Sequence, residues 1–323
     1  MSALQGAGRR MLVFSGRAHP ALAGKIAAEL GTTLVPTQAR DFANGEIYIR
    51  FEESVRGADC FLIQSHTAPI NKWIMEQLIM ADALKRASAR SVTVVMPFYG
   101  YARQDKKHKG REPISARLVA DLLSAAGADR IVTVDLHTDQ IAGFFDGPVD
   151  HLFALPILAD HVTATVDRSL LTVVSPDAGR VRVADRWCDR LGTPLAIVHK
   201  KRDKDVAHQV SVHEVVGEVE GRVCVLVDDM VDTAGTICAA ADALYGQGAL
   251  DVIVAATHGI LSAPAAERMR RSRVSRFVFT DTLPSAAAPG LDKVEILSIA
   301  PVVAHAVREI FENGSVTSLL DEL

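Results

Sequence analysis

The chain has 323 residues, enough for roughly two domains. Hydrophobic residues make up 49% and charged residues 23%, so a sizeable core is expected and general disorder is not. The formal net charge of -4 excludes a globally basic nucleic-acid binder, although basic residues cluster locally. The four cysteines, Cys60, Cys188, Cys224 and Cys238, form no C-x-x-C pair, which excludes a zinc or redox motif of that type. A disulfide framework is not expected, in keeping with a reducing, cytoplasmic setting. The apolar stretch at residues 11–14 is too short for a signal-peptide core or a membrane span.

A loose tail is expected at residues 1–10. Strands are then predicted at 11–15, 46–51, 60–64, 92–96 and 131–134, with helices at 20–30, 73–87 and 114–125. Further strands follow at 171–174, 195–198, 223–227, 252–255, 277–280 and 294–299, with helices at 180–191, 236–245, 265–271 and 302–311. This alternation predicts an α/β protein whose mainly parallel sheets carry helices on both faces. Runs such as Val-Cys-Val-Leu-Val suit strands buried on both sides, whereas the alternating pattern at 46–51 suits an edge strand or hairpin. An echo between I-V-T-V-D-L-H-T-D at 131–139 and V-L-V-D-D-M-V-D-T at 225–233 hints at two related domains. The predicted division is 11–153 and 154–300, followed by a C-terminal helix and tail at 301–323.

The first chemistry lies at residues 223–236, where a buried strand runs into two acids, a short loop and a Thr/Gly-rich helix start. Ligands of open α/β sheets sit beyond the carboxyl ends of strands. A helix start offers unpaired amides and a positive dipole end to a phosphate. Asp232, Thr233, Ala234, Gly235 and Thr236 form that start, the threonines adding hydroxyl donors. Asp228 and Asp229 suit hydrogen bonds from vicinal hydroxyls, so acid pair and cradle together point to a sugar phosphate. The plain alternative is a strand followed by an ordinarily capped helix.

This segment resembles the phosphoribosyl-diphosphate loop of the type I phosphoribosyltransferase fold, with Ala234 where that pattern has Gly. Residues with a Cβ resist a positive φ, which sets Ala234 apart from the pattern. Four further segments occur in order: D-F-A-N-G-E at 41–46, Y-G-Y-A-R-Q-D-K-K at 99–107, D-L-H at 135–137 with G-F-F-D-G-P-V-D at 143–150, and S-P-D-A-G at 175–179. Together with the loop they resemble the ribose-phosphate pyrophosphokinases of bacterial class I type, over residues 11–319. The resemblance implies two type I phosphoribosyltransferase-like domains.

It also implies roles for particular residues. Phe42, Asn44, Gly45 and Glu46, with Arg103 and Gln104, would hold ATP, the 42–46 turn reaching a neighbouring subunit's site. His137 and Asp177 would bind Mg²⁺, Asp177 being the better partner for a cation that prefers oxygen. Lys200 and Arg202 would be catalytic, and Arg202 would join Asp228, Asp229 and residues 232–236 on ribose 5-phosphate. Asp105 and Lys106 stay open between ligand contact and local ion pairing. Asp139, Ala142 and His151 depart from the pattern of an ADP or phosphate site at a subunit interface.

The implied reaction moves the diphosphate of ATP onto the C1 hydroxyl of ribose 5-phosphate, with Mg²⁺ and without nucleic-acid or membrane partners. The implied assembly is a homo-oligomer, a hexamer. No G-x-x-x-x-G-K-[ST] occurs, so a P-loop kinase is excluded. The competing readings are a salvage phosphoribosyltransferase, a non-catalytic regulatory subunit and a sugar-phosphate-sensing transcription regulator.

Overall fold

The computed structural model describes residues 4–6, 8–201, 212–284 and 290–316. Two compact units emerge: residues 1–153 with 298–322, and residues 154–297.

The first unit contains β1 (Leu4–Gly6), β2 (Arg9–Ser15), α1 (Pro20–Glu29), β3 (Thr37–Asp41), β4 (Ile47–Phe51), β5 (Asp59–Ile63), α2 (Ile70–Arg86), β6 (Ser91–Val95), α3 (Ser115–Ala126), β7 (Arg130–Val134) and β8 (Val149–Leu152). Its six-stranded sheet runs β1-β2-β5-β6-β7-β8 and is parallel except where β1 meets β2. Successive residues of β5 are all buried, so both faces of the sheet are covered. The strand predicted at 46–51 is half of a separate two-stranded ribbon, β3–β4.

The second unit contains α4 (Leu155–Thr163), β9 (Leu171–Ser175), α5 (Val181–Leu191), β10 (Leu195–Lys201), β11 (Val212–Val216), β12 (Val223–Val231), α6 (Gly235–Gly246), β13 (Asp251–Gly259), α7 (Ala265–Arg271), β14 (Arg276–Thr280) and β15 (Val294–Leu297). Its sheet runs β11-β10-β9-β12-β13-β14-β15, with only the β10–β11 pair antiparallel among the described strands. The chain goes from β9 outward to β10 and β11, then returns to place β12 on the other side of β9. That reversal opens a crevice at the carboxyl ends of β9 and β12, where open α/β sheets take ligands.

The structure departs from expectation at three places. The expected tail at 1–10 is not all loose, because Leu4–Gly6 pairs antiparallel with residues 9–11. The last helix, α8 (Ala300–Glu312), is not a free-standing appendix, because it belongs to the first unit and packs on α1. Arg9 secures its end by donating to Asp59 Oδ2 (2.9 Å), to Asn313 Oδ1 (3.1 Å) and to the Phe311 carbonyl, its guanidinium lying over the Phe311 ring. Finally, the acids of the sugar-phosphate loop do not follow the strand but lie within it. β12 continues through Asp228 and Asp229 because β13 keeps pairing with it, out to Val231 opposite Gly259.

Cys60 and Cys224 are buried, and burial pushes both thiols up to about 12, as befits small core residues rather than nucleophiles. Among the described residues no helix is long and apolar enough to cross a membrane.

Candidate functional site

In the second unit the predicted sugar-phosphate residues gather at the sheet reversal. Asp228 is partly exposed and Asp229 is 4% exposed. The Asp229 amide donates to Asp228 Oδ1 at 2.8 Å, which orients that carboxylate. Burial, then the neighbouring Asp229 charge, push the Asp228 carboxyl well above its usual range, while Arg180 pulls it down. Arg180 grips both acids: its Nε lies 3.1 Å from Asp228 Oδ1 and its Nη2 lies 3.0 Å from Asp229 Oδ1.

The chain then turns through Asp232 and Thr233 to Ala234, whose φ of 58° and ψ of 5° are left-handed. An L-residue there costs about 1–2 kcal/mol against the right-handed form. Methyl burial offsets this, since Ala234 is 3% exposed within the unit's core. The first bond inside α6 runs from the Cys238 amide to the Ala234 carbonyl, so the Gly235, Thr236 and Ile237 amides precede the hydrogen-bond ladder. The first turn of α6 holds no acid to oppose an anion, and Thr233 and Thr236 are exposed. Arg268 of α7 donates to the Thr233 carbonyl at 3.0 Å, and a Cβ at Gly235 would stand 3.1 Å from the same guanidinium.

Asp177 lies at the end of β9, exposed, with Oδ1 accepting the Gly179 amide at 2.7 Å. His137 lies in the first unit, half-buried, just past β7. No group of three or more His, Cys, Asp or Glu is placed to hold a metal among the described residues. Asp177 offers an accessible carboxylate, the kind of oxygen donor that a hard cation accepts.

Lys200 lies on β10 opposite His213 of β11, beyond Ile197, where β10 last pairs with β9. Arg202 lies outside the described residues.

In the first unit the turn between β3 and β4 carries Phe42, Asn44, Gly45 and Glu46. The Phe42 amide donates to the Glu46 carbonyl at 2.7 Å, the Gly45 amide to the Phe42 carbonyl at 2.9 Å and the Glu46 amide to Asn44 Oδ1 at 3.1 Å. Gly45 has φ 92°, which suits glycine. Phe42 stays 46% exposed, a large ring open to stacking. These residues, with Asp41, Ile47, Lys72, Met75 and Ile79, line a groove of about 740 Å³. Asp41 accepts from Lys72 and from Arg17, each at 2.6 Å, and the Lys72 bond leads in holding its carboxyl below the usual range.

Arg103 and Gln104, both exposed, lie on the loop after β6. A buried histidine absent from the sequence reading anchors that loop. His66 Nδ1 accepts the Gly100 amide at 2.9 Å, which leaves the proton on Nε2 for Gln77 Oε1 at 2.7 Å. Burial pushes this imidazole down to about 4, so it is neutral. Gln104 is held in turn by Ser115 Oγ, donating to its Oε1 at 2.6 Å. Asp105 is buried and accepts from Thr138 and Gln140, each at 2.7 Å, which is a local structural role. The structure thus assembles residues 228–236 with Arg180, gathers 42–46 round one groove, and sets 103–104 on a separately braced loop.

A family model described as the N-terminal domain of ribose phosphate pyrophosphokinase matches residues 11–127. A second, the phosphoribosyl synthetase-associated domain, matches residues 204–321. Ribose-phosphate pyrophosphokinase of Streptomyces coelicolor is 77% identical over 314 residues, covering 97% of each chain. That of Corynebacterium glutamicum is 59% identical over 314 residues, covering 97% of this chain and 96% of that one. The crystal structure of phosphoribosylpyrophosphate synthetase from Mycobacterium smegmatis matches with a TM-score of 0.89 at 55% identity, covering 94% of this chain and 99% of that one. The chain belongs to the ribose-phosphate pyrophosphokinase family.

Proposed function

We propose that the chain transfers the diphosphate of ATP to ribose 5-phosphate, giving 5-phosphoribosyl 1-diphosphate and AMP. The C1 hydroxyl attacks the β-phosphorus in line. A new C1–O–P bond forms, the bond from the β-phosphorus to the α,β-bridging oxygen breaks, AMP leaves with that oxygen, and the hydroxyl proton is released. The observation that carries the reading is the acid pair Asp228–Asp229 beside the open amides of α6, at the reversal of the second sheet.

In this reading Asp228 and Asp229 accept from the ribose hydroxyls. The amides of residues 235–237 and the hydroxyls of Thr233 and Thr236 hold the 5-phosphate. Phe42 stacks on adenine, with Asn44, Gly45 and Glu46 at its polar edge. Arg103 and Gln104 hold the polyphosphate. Lys200 and Arg202 stabilise charge on the transferring phosphoryl oxygens. Asp177 would be the carboxylate for Mg²⁺, with His137 the other expected ligand, and the ion would supply charge neutralisation at the phosphates. The working form is a cytoplasmic homo-oligomer, a hexamer whose 42–46 turns complete neighbouring sites, which sedimentation tests.

Incubation with ATP, Mg²⁺ and ribose 5-phosphate yields AMP under this reading. ADP as product marks an ordinary kinase. No turnover marks a regulatory subunit.

A further inference from the structure

Arg180 stands at the end of the turn that carries Asp177, and in sequence it is only a charged residue at a helix start. Its surroundings give it more to do. β9 and β12 are parallel neighbours, paired up to Val174 opposite Leu226, so their carboxyl ends emerge side by side. The turn after β9 is tied down by Ser175 Oγ donating to the Asp177 carbonyl at 2.7 Å, and by the Gly179 amide on Asp177 Oδ1 at 2.7 Å. From this fixed base the Arg180 side chain, 14% exposed, crosses to β12 and divides its fork between Asp228 and Asp229.

Two adjacent carboxylates repel, and burial makes ionising both costly. One guanidinium between them offsets one of the two charges when both acids are ionised. Arg180 Nε and the Asp229 amide both lie on Asp228 Oδ1, and Arg180 Nη2 lies 3.0 Å from Asp229 Oδ1. A planar fork can set the relative orientation of two carboxylates, which a point charge cannot.

We infer that Arg180 is a positioning residue for ribose 5-phosphate, fixing the orientation and charge of Asp228 and Asp229 for the vicinal hydroxyls. This rests on the proposal that the acid pair binds the ribose. It also joins the turn bearing the metal-facing carboxylate to the sugar site, so ribose geometry and Asp177 share one support. Arg180 acts through the acids and touches no reacting atom.

The test measures ribose 5-phosphate affinity by calorimetry, and KM for both substrates, on full-length Arg180→Gln, Arg180→Lys, Asp228→Asn, Asp229→Asn and the Arg180→Gln/Asp229→Asn double variant. Arg180→Gln is expected to weaken ribose 5-phosphate about tenfold or more while ATP KM stays within about twofold, a span equivalent to roughly 1.4 kcal/mol. Arg180→Lys recovers part of the loss. In the double variant the two losses are less than additive, as for groups that act together. Unchanged or tighter ribose 5-phosphate binding in Arg180→Gln overturns the inference, and so does strict additivity. Loss of ATP and sugar affinity alike in both Arg180 variants overturns it too, marking a residue of the fold. If the two Asp→Asn variants bind ribose 5-phosphate normally, the acid-pair reading fails and the inference with it. If they lose it while Arg180→Gln does not, the inference alone fails.

Discussion

β7 in the first unit and β12 in the second begin alike, I-V-T-V-D-L-H against V-L-V-D-D-M-V, and finish differently. β7 stops at Val134, and Asp135 turns away at φ 39°. β12 runs on through both acids to Val231. The partner strand decides. β8 has four residues and its pairing ends at Val134 opposite Leu152, whereas β13 has nine and pairs to Val231. The ends then take up different work. The first sheet runs outward from β2 to β8 in chain order without a reversal, and the residues proposed to hold ATP sit on a separate ribbon and a braced loop. The second sheet reverses beside β12, the strand that carries the two acids. Similar local patterns thus become different sites through strand order, which is non-local.

The comparison can be broken most forcefully at the catalytic role assigned to the second unit. Lys200→Ala is expected to lower kcat by about two to three orders of magnitude with ATP KM within a few-fold, because it acts on charge that develops in the transition state. Equal loss in kcat and ATP affinity, read from steady-state kinetics, would remove that role.

The first unit is probed at His66. Replacing it with Leu strands the buried Gly100 amide and Gln77 Oε1, each costing about 1–3 kcal/mol. Denaturant unfolding should show that loss. ATP KM should rise through the 100–104 loop while ribose 5-phosphate KM holds. A rise in the sugar KM instead would dissolve the division between the units.

A smaller, opposite effect is expected at Asp228. Its carboxyl lies above the usual range in the fold, so the folded state holds the proton more tightly than the unfolded state. Stability is then lost as pH rises from the ordinary carboxylate value, about 4, through the folded value. Asp228→Asn should therefore raise the Tm by roughly 2 °C at pH 7.5 and by much less near pH 4, while weakening ribose 5-phosphate. A lower Tm at pH 7.5 would show that the Arg180 pairing outweighs burial and repulsion.

The smallest effect belongs to Ala234→Gly. Relief of a left-handed alanine, about 1–2 kcal/mol, is opposed by loss of a buried methyl and by glycine's unfolded-state entropy, about 0.8 and 0.5–1 kcal/mol. Stability should stay within about 1 kcal/mol, whereas Ala234→Val should fold poorly.

Much of this organisation was legible in the sequence. The apolar runs of β5, β6, β12 and β13 announce parallel strands, and Ala234 stands out against its pattern before its φ is seen. β3, T-Q-A-R-D, carries no apolar signal, since it is held by backbone pairing to β4 while Ile49 and Phe51 of β4 make the contact with the core. α8 reads as an appendix because its contact with α1 spans nearly the whole chain. Arg180 looks like any basic residue at a helix start until β9 and β12 become neighbours. His66 follows a buried strand and shows its purpose only beside Gly100, thirty-four positions on.

The most direct test of the account is calorimetric titration of a variant carrying both Asp228→Asn and Asp229→Asn with ribose 5-phosphate and, separately, with Mg-ATP. The account predicts that sugar binding falls by about two orders of magnitude, roughly 2.8 kcal/mol, while Mg-ATP binding stays within a few-fold. Intact sugar binding, or parallel loss of both ligands, would contradict it.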